Sequence, residues 1–497
     1  MLKIKSQGLP LTAAIKIPVP ITPPITNHVA TAQYNFMQPI LPGLVFDSSA
    51  VYKDWIVLIC MPVLTCTNPT FIVWKTMLKV FWSFWSLSML ALIASPSAAD
   101  GEDWPEFRGP TGQGISAERN LPVEWSDDAR GTSKNIVWKT SIPGEGWSSP
   151  VLREGRIYLT IAVGKEDGAN HGLKAICVEA AMGRILWTVE VFTPEDFVRI
   201  HTKNSHASPT PLVEGERLYV HFGHLGTACL DLTGKVLWRN NSLAYPPVHG
   251  SGCSPILADD ALIFSCDGAS DPFVVALDKN NGKVLWKVNR ETDAKKTFSF
   301  CTPLLITVNG QKQAISPGSN VVCAYDPKTG REIWRVHYEG YSVVPRPVFG
   351  RGLIFISTGF DRPVVMAIRP DGNGDVTKTH VAWTNAKGAP NTPSMLLVRD
   401  ELYLLSDAGI ASCLDAKSGK THWQERIGGN CSASPVLADG RIYFQNEEGL
   451  GVVIKAGREF QKLASNPLNE RTLASYAVGD GAFFIRSEKH LYRIQRQ

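Results

Sequence analysis

Seven residues carry side chains suited to holding a ligand: Trp147, Asn204, His206, His249, Arg346, Asn391 and Asn430. They fall in or beside short segments that end in Ser-Pro, Thr-Pro or Arg-Pro. Equivalent places in a purely structural repeat are monotonous, whereas these vary. An indole, imidazoles, carboxamides and a guanidinium can converge on a pocket, or can plug a channel with their own hydrogen bonds. Other groups invite sharper chemistry and support it less. His221-Phe-Gly-His224 sets two histidines three apart, without a Cys or carboxylate at ligand spacing, so no metal site is expected. Asp371-Gly-Asn373-Gly-Asp375 resembles the start of a calcium loop, but Val376 stands where that loop needs Gly and Ala382 where it needs Glu. An enlarged turn fits it better. Asp267 and Asp271, in CDGASDP, are the carboxylates best suited to test as a general base, although a turn explains them as well. No catalytic residue is assigned.

These residues must be positioned by a unit that recurs through most of the chain. It opens at Ser149-Pro150, Ser208-Pro209, Ser254-Pro255, Thr302-Pro303, Arg346-Pro347, Thr392-Pro393 and Ser434-Pro435. Three short apolar strands follow, then a turn through Gly, then a last strand ending in Trp. The closing tryptophans are Trp187, Trp238, Trp286, Trp334, Trp383 and Trp423. Five of them stand four residues after a glycine: Gly183, Gly234, Gly282, Gly330 and Gly419. A longer turn precedes Trp383, and a seventh unit has Phe460 in the Trp place. An eighth begins near Thr472 and lacks its last strand, which is found instead before the first unit, at Asn135–Thr140 with Trp138. A circular array explains this, because the N-terminal strand then completes the last unit and leaves no ragged edge. The prediction is an all-β, eight-bladed β-propeller with four antiparallel strands per blade over residues 135–497. Asp278, Asp326 and Asp415 cap the turns, and the Gly takes a left-handed backbone conformation.

The pattern A-x-D-x-x-x-G-x-x-x-W resembles the tryptophan-docking motif of pyrroloquinoline-quinone (PQQ) repeat propellers. That family includes quinoprotein alcohol dehydrogenases and the non-enzymatic propeller of the bacterial outer-membrane assembly machinery. The resemblance implies that each Trp lies between the small residue of its own unit and the Gly peptide of the next. The small residues here are Cys177, Cys229, Ala276, Ala324, Ala367 and Cys413. The lead-in WPEFRGPTGQGIS, from Trp104 to Ser116, is similar to exported PQQ-like propellers of planctomycete type.

Charge and cysteine content narrow the class further. The net charge of +4 comes from residues 1–99, whose six lysines outnumber Asp47 and Asp54. The remaining 44 basic and 44 acidic residues balance, which argues against nucleic acid as the main partner. Residues 77–99 place Lys79 before an apolar run and end in Ser-Ala-Ala, as a signal peptide cleaved after Ala99 would. Residues 1–76 are then an upstream extension from a misassigned start, and 100–134 a lead-in to the propeller. Export, to the periplasm or beyond, and a monomer without a membrane span after cleavage are expected. Of ten cysteines, Cys177, Cys229 and Cys413 fill the small slot, where buried thiols serve as alanine would. Cys253 and Cys301 share a position in neighbouring units, which leaves a bond between them open.

Two functions follow from the resemblance. One is a non-catalytic scaffold that presents loops to a protein, peptide or polysaccharide of the envelope, with no cofactor. The other is a periplasmic quinoprotein dehydrogenase using PQQ and calcium. The sequence lacks the adjacent Cys pair that such dehydrogenases place over the quinone, and lacks C-x-x-C-H for a haem. The scaffold is the reading preferred here. A sensor ectodomain is a third idea, but no kinase motif accompanies it.

Overall fold

Segments of three to eight residues, apolar in the inner strands and mixed in the outer ones, bounded by turns of Asp, Asn and Gly, form the blade strands of this chain. The structure, a computed structural model, describes residues 102–127, 133–164, 172–195 and 197–497. The expected upstream extension (1–76) and signal peptide (77–99) lie outside the described residues. Eight sheets, each of four antiparallel strands and one of them with a short parallel fifth, follow one another as the blades of a propeller. Blades 1 to 7 span residues 151–192, 212–240, 256–289, 304–337, 348–385, 396–426 and 436–467. Blade 8 takes three strands from residues 477–495 and its outer strand from Ile136–Ser141, which pairs with His490–Gln495. The expected closure by the N-terminal strand is therefore present.

The tryptophans sit where two blades meet. In blades 1 to 6 the small residue faces its Trp across the two outer strands, for example Cys177 opposite Trp187 and Ala276 opposite Trp286, whereas in blade 8 Trp138 faces Arg493. A bulge follows directly and twists the outer strand. The indole N–H then crosses the seam. Trp138 donates to Ala180 O of blade 1 at 3.0 Å, Trp187 to Leu232 O of blade 2 at 3.2 Å, and Trp238 to Lys279 O of blade 3 at 3.0 Å. Trp286, Trp383 and Trp423 repeat the contact on Pro327, Ala416 and Gly457. Each such bond contributes roughly 1 kcal/mol, beyond the apolar area that the ring buries. Gly183, Gly234, Gly282, Gly330 and Gly419 have φ between 71° and 94° and lie against the ring of the preceding blade. A Cβ there would fall 2.5 to 3.1 Å from the Trp ring, so glycine is needed both for the turn and for the approach.

Two seams depart from this scheme. The long turn of blade 5 removes the usual landing place for Trp334. Its N–H donates instead to Oε1 of Gln313 at 2.9 Å, and Nε2 of Gln313 donates to Pro370 O at 3.2 Å. The glutamine thus relays the bond across the seam. In blade 7 the residue opposite the small slot is Ala464, paired with Val453. Phe460 therefore does not take the Trp place. It packs edge-on against Trp423 of blade 6 at 5.2 Å, where other blades put a glycine.

The unit boundaries also need correction at three places. The innermost strands of blades 2 and 6 begin at Leu212 and Leu396, so their opening residues are Thr210 and Ser394 rather than Ser208 and Thr392. In blade 8 the opening residue is Ser475, since its first strand begins at Ala477.

Candidate functional site

The segments that enter the innermost strands converge on the axis, and a ring of hydroxyls holds them there. The backbone N–H of Ser149 donates to Oγ1 of Thr210, that of Thr210 to Oγ of Ser254, and that of Ser254 to Oγ1 of Thr302. On the other side Arg346 donates to Ser394, Ser394 to Ser434, Ser434 to Ser475, and Ser475 back to Ser149. All seven bonds lie between 2.9 and 3.1 Å. The Ser/Thr of the repeat is thus a clasp between neighbouring blades. Arg346, which has no hydroxyl, ties blade 5 to blade 4 by donating from Nε to Pro303 O at 3.0 Å.

The lead-in segment closes one end of the channel. Leu152, Val213 and Leu437 of three innermost strands donate to the carbonyls of Trp104, Pro105 and Gly114. Phe349 of a fourth donates to Oε1 of Gln113. Edge groups of the inner strands are satisfied in this way rather than left open. The guanidinium of Arg346 reaches the Phe107 carbonyl and Glu106. Arg108 is fully buried beside it and donates to Gln113 O and Met395 O at 2.7 Å each. Burial, with the charge of Arg346 adding, pulls the Arg108 guanidinium down to about 9.

What remains is a cavity of about 840 Å³ above this floor. Phe107 and the hydroxyl ring form its base. One wall is an aromatic arc. Phe298 stands edge-on to His249 and Tyr341, and Tyr341 edge-on to Phe360, with centroids 5.4 to 5.9 Å apart. Lys296 lies 4.1 Å over the Tyr341 ring and donates to its hydroxyl. The opposite wall carries Trp147, with Arg471 5.4 Å over its ring, and Lys203, paired with Glu447 at 2.7 Å. Asp407 is the one carboxylate among the described lining residues. It accepts from the N–H groups of Asn391 and Thr392 and from the Thr392 hydroxyl. Its acceptor sites hold a loop in place.

Four of the seven residues singled out in the sequence line this cavity: Trp147, Asn204, His249 and Asn391. Arg346 is buried below the ring. His206 stacks on Phe197 at 4.1 Å and does not line the cavity, and Asn430 is exposed with its carbonyl accepting from Glu447 N–H. The sequence reading missed Phe298, Phe300, Tyr341 and Phe360. The first two stand just before Thr302 and share the signal that singled out Trp147. Phe360 and Asp407 come from loops after the second strand, which only the folded blade brings to the axis.

The sharper motifs lie elsewhere. Asp267 and Arg290 form a buried two-point ion pair, at 3.1 and 3.2 Å. Asp271 is exposed in a turn. His221 is buried, with Nδ1 2.8 Å from the Thr227 hydroxyl and its ring 4.3 Å from Phe264. Asp375 accepts from Thr377 N–H and holds a short helix, as an enlarged turn requires. No three His, Cys, Asp or Glu side chains among the described residues are grouped to hold a metal ion. Cys253 and Cys301 are free and buried, and each donates to a carbonyl of the following residue.

The family model described as outer membrane protein assembly factor BamB matches residues 129–244, 173–425 and 375–484. Among solved structures, BamB from Moraxella catarrhalis is similar at 12% identity and a TM-score of 0.53, covering 73% of this chain and 97% of that one. Quinohemoprotein alcohol dehydrogenase from Comamonas testosteroni is similar at 12% identity and a TM-score of 0.56, covering 80% and 81%. A europium-containing methanol dehydrogenase is similar at 11% identity and a TM-score of 0.52, covering 78% and 88%. At such identity the likeness is one of fold. No curated protein matches the sequence.

Proposed function

Because the chain belongs to the PQQ-like repeat family of the outer membrane protein assembly factor BamB, we propose that it is an exported, monomeric, non-catalytic propeller of the cell envelope. It binds a protein, peptide or polysaccharide at the mouth of the axial cavity. The aromatic arc carries this reading: Phe298, Tyr341 and Phe360 stand on a rigid ring of clasped strands, and Phe360 is 52% exposed. Rings held edge-on in this way bind with little loss of side-chain freedom, and the carboxamides and Lys203 and Lys296 nearby supply polar contacts. Ser, Thr and Asp407 in the wall are already committed to closing the ring and holding its loops.

The alternative is a dehydrogenase with PQQ and calcium, which the likeness to the two alcohol-oxidising enzymes keeps in view. The lining does not suit the calcium ion. Calcium takes six or more oxygen ligands, with carboxylates prominent among them. The single carboxylate among the described lining residues, Asp407, is spent on Asn391 and Thr392.

Titration of the chain from residue 100 with PQQ and calcium, followed by calorimetry and a dye-linked alcohol oxidation assay, separates the readings. No heat at micromolar PQQ and no turnover are expected. Photo-crosslinking from position 360 in envelope preparations is expected to capture a discrete partner. Saturable PQQ binding with turnover would overturn the scaffold reading.

A further inference from the structure

Four neighbouring blades leave an aliphatic side chain bare at one repeat position, just before the outer-strand tryptophan. Val137 of blade 8, Leu186 of blade 1, Leu237 of blade 2 and Leu285 of blade 3 are 40 to 49% exposed. The same position in blade 4 is Ile333, only 6% exposed. The difference has a visible cause. Gly374–Asp375, from the long turn of blade 5, add a fifth strand to the outer edge of blade 4. It runs parallel, with Gly374 opposite Trp334 and Asp375 opposite Arg335. Val376 packs in the same apolar cluster as Ile333, and its N–H donates to Arg335 O at 3.0 Å. Thr377 Oγ1 accepts from His337 N–H at 2.9 Å. The Asp375 carboxylate lies 4.0 Å from the His337 ring nitrogen. Thr377 hydrogen bonds, with the charges of His337 and Arg335 adding, hold that carboxyl below its ordinary range.

The chain thus displays on itself what an outer edge accepts: an acid followed by a β-branched aliphatic residue. Blades 2 and 3 present the matching features uncovered. Leu237 and Leu285 correspond to Ile333, while Arg239 and Lys287 correspond to Arg335. Val284, next to Leu285, is a further 44% exposed. The blade 6 strand has His422 and Gln424 at these positions. Basic residues on an edge usually deter pairing with other strands. At blade 4 Arg335, itself paired with Glu332, coexists with an added strand whose Asp375 feels its charge. At blades 2 and 3 valines (Val236, Val284) stand where that glutamate is, so the compensating acid is left for an incoming strand to supply.

We propose that the outer edges of blades 2 and 3 dock an extended acidic segment of another protein as a parallel fifth strand. Its carboxylate sits opposite Arg239 or Lys287, and its β-branched residue covers Leu237 or Leu285. This is strand addition, in which main-chain hydrogen bonds give affinity and the alternate side chains give selectivity. The rim is separate from the axial cavity, so this inference does not depend on what binds there.

The test uses the full chain and a synthetic peptide copying residues 371–379, with a benzophenone side chain replacing Thr379. After irradiation, cross-links are mapped by mass spectrometry. They are expected on residues 236–241 and 284–289, and the R239E/K287E variant is expected to lose them at least about tenfold while melting as the parent does. A peptide with Asp375→Lys is expected to restore labelling of that variant. The K287E variant alone guards against a folding defect from Arg239, whose Nε donates to Val191 O. Labelling confined to residues 332–337, equal labelling of residues 421–426, or indifference to the charge reversal would overturn the proposal.

Discussion

His221 illustrates how a conspicuous residue can be structural. Two histidines three apart suggest a ligand pair, yet burial, with His224 adding, pulls His221 down to about 3. The neutral ring is therefore the folded form. A histidine whose folded pKa is depressed leaves stability intact above its unfolded value, near 6.5, and loses it as pH falls toward the folded value. Stability should fall between pH 6.5 and 3 with a slope of up to about 1.4 kcal/mol per pH unit from this residue alone. Urea unfolding of the parent and of His221→Phe at pH 7 and pH 5 checks it. The variant should show the shallower dependence, and equal slopes would place the acid sensitivity in other groups. Asp267 shows the same lesson, because its carboxylate is buried against Arg290. Chemistry-bearing residue types are plain in a sequence, but whether a group is buried against a partner depends on contacts from strands far along the chain.

At the scale of the blade, local pattern was largely readable. The Gly-to-Trp spacing, the small slot and the turn acids all stand at fixed intervals because one strand–turn–strand unit is used again and again. The errors came where the chain offers two similar marks close together. Ser208-Pro209-Thr210-Pro211 and Thr392-Pro393-Ser394 each contain a second Ser or Thr two residues on, and only the hydroxyl ring shows which one clasps its neighbour. Phe460 misled for a related reason, since an aromatic residue near the right spacing packs on the wrong side of the seam. The glycine argument can be tested by contrast. Gly282 and Gly310 both have positive φ, 71° and 80°, but a Cβ at Gly282 would meet the Trp238 ring at 2.5 Å and one at Gly310 would meet nothing. Gly310→Ala should cost about 1 kcal/mol from backbone strain, and Gly282→Ala distinctly more, about 2 to 4 kcal/mol. Denaturant melts of the two variants compare them directly, and equal losses would remove the Trp contact from the explanation.

For the molecule as a whole, the ring and its closure by the N-terminal strand were legible, because a unit missing its last strand at one end and a spare strand at the other admit few arrangements. The floor of the cavity was not. Nothing in WPEFRGPTGQGIS says that it crosses the channel, and its role appears only when Trp104, Arg108 and Trp125 are seen buried against several blades. Deleting residues 102–127 should lower the melting temperature by at least about 10 °C, since it strips two buried tryptophans and a set of edge hydrogen bonds. A truncated chain that melts with the intact one would reduce the segment to a passive tail. The seam between blades 4 and 5 has a different bearing, on descent. Units joined by interchangeable Trp and hydroxyl fittings can be duplicated or lost in a gene, and the new neighbours still fit. Blades 4 and 5 are matched to each other through Gln313, Pro370, Arg346 and the added strand at Gly374–Asp375. A copying event that separated them would leave half of each contact behind, so this seam makes the pair a single heritable unit within a repeating gene.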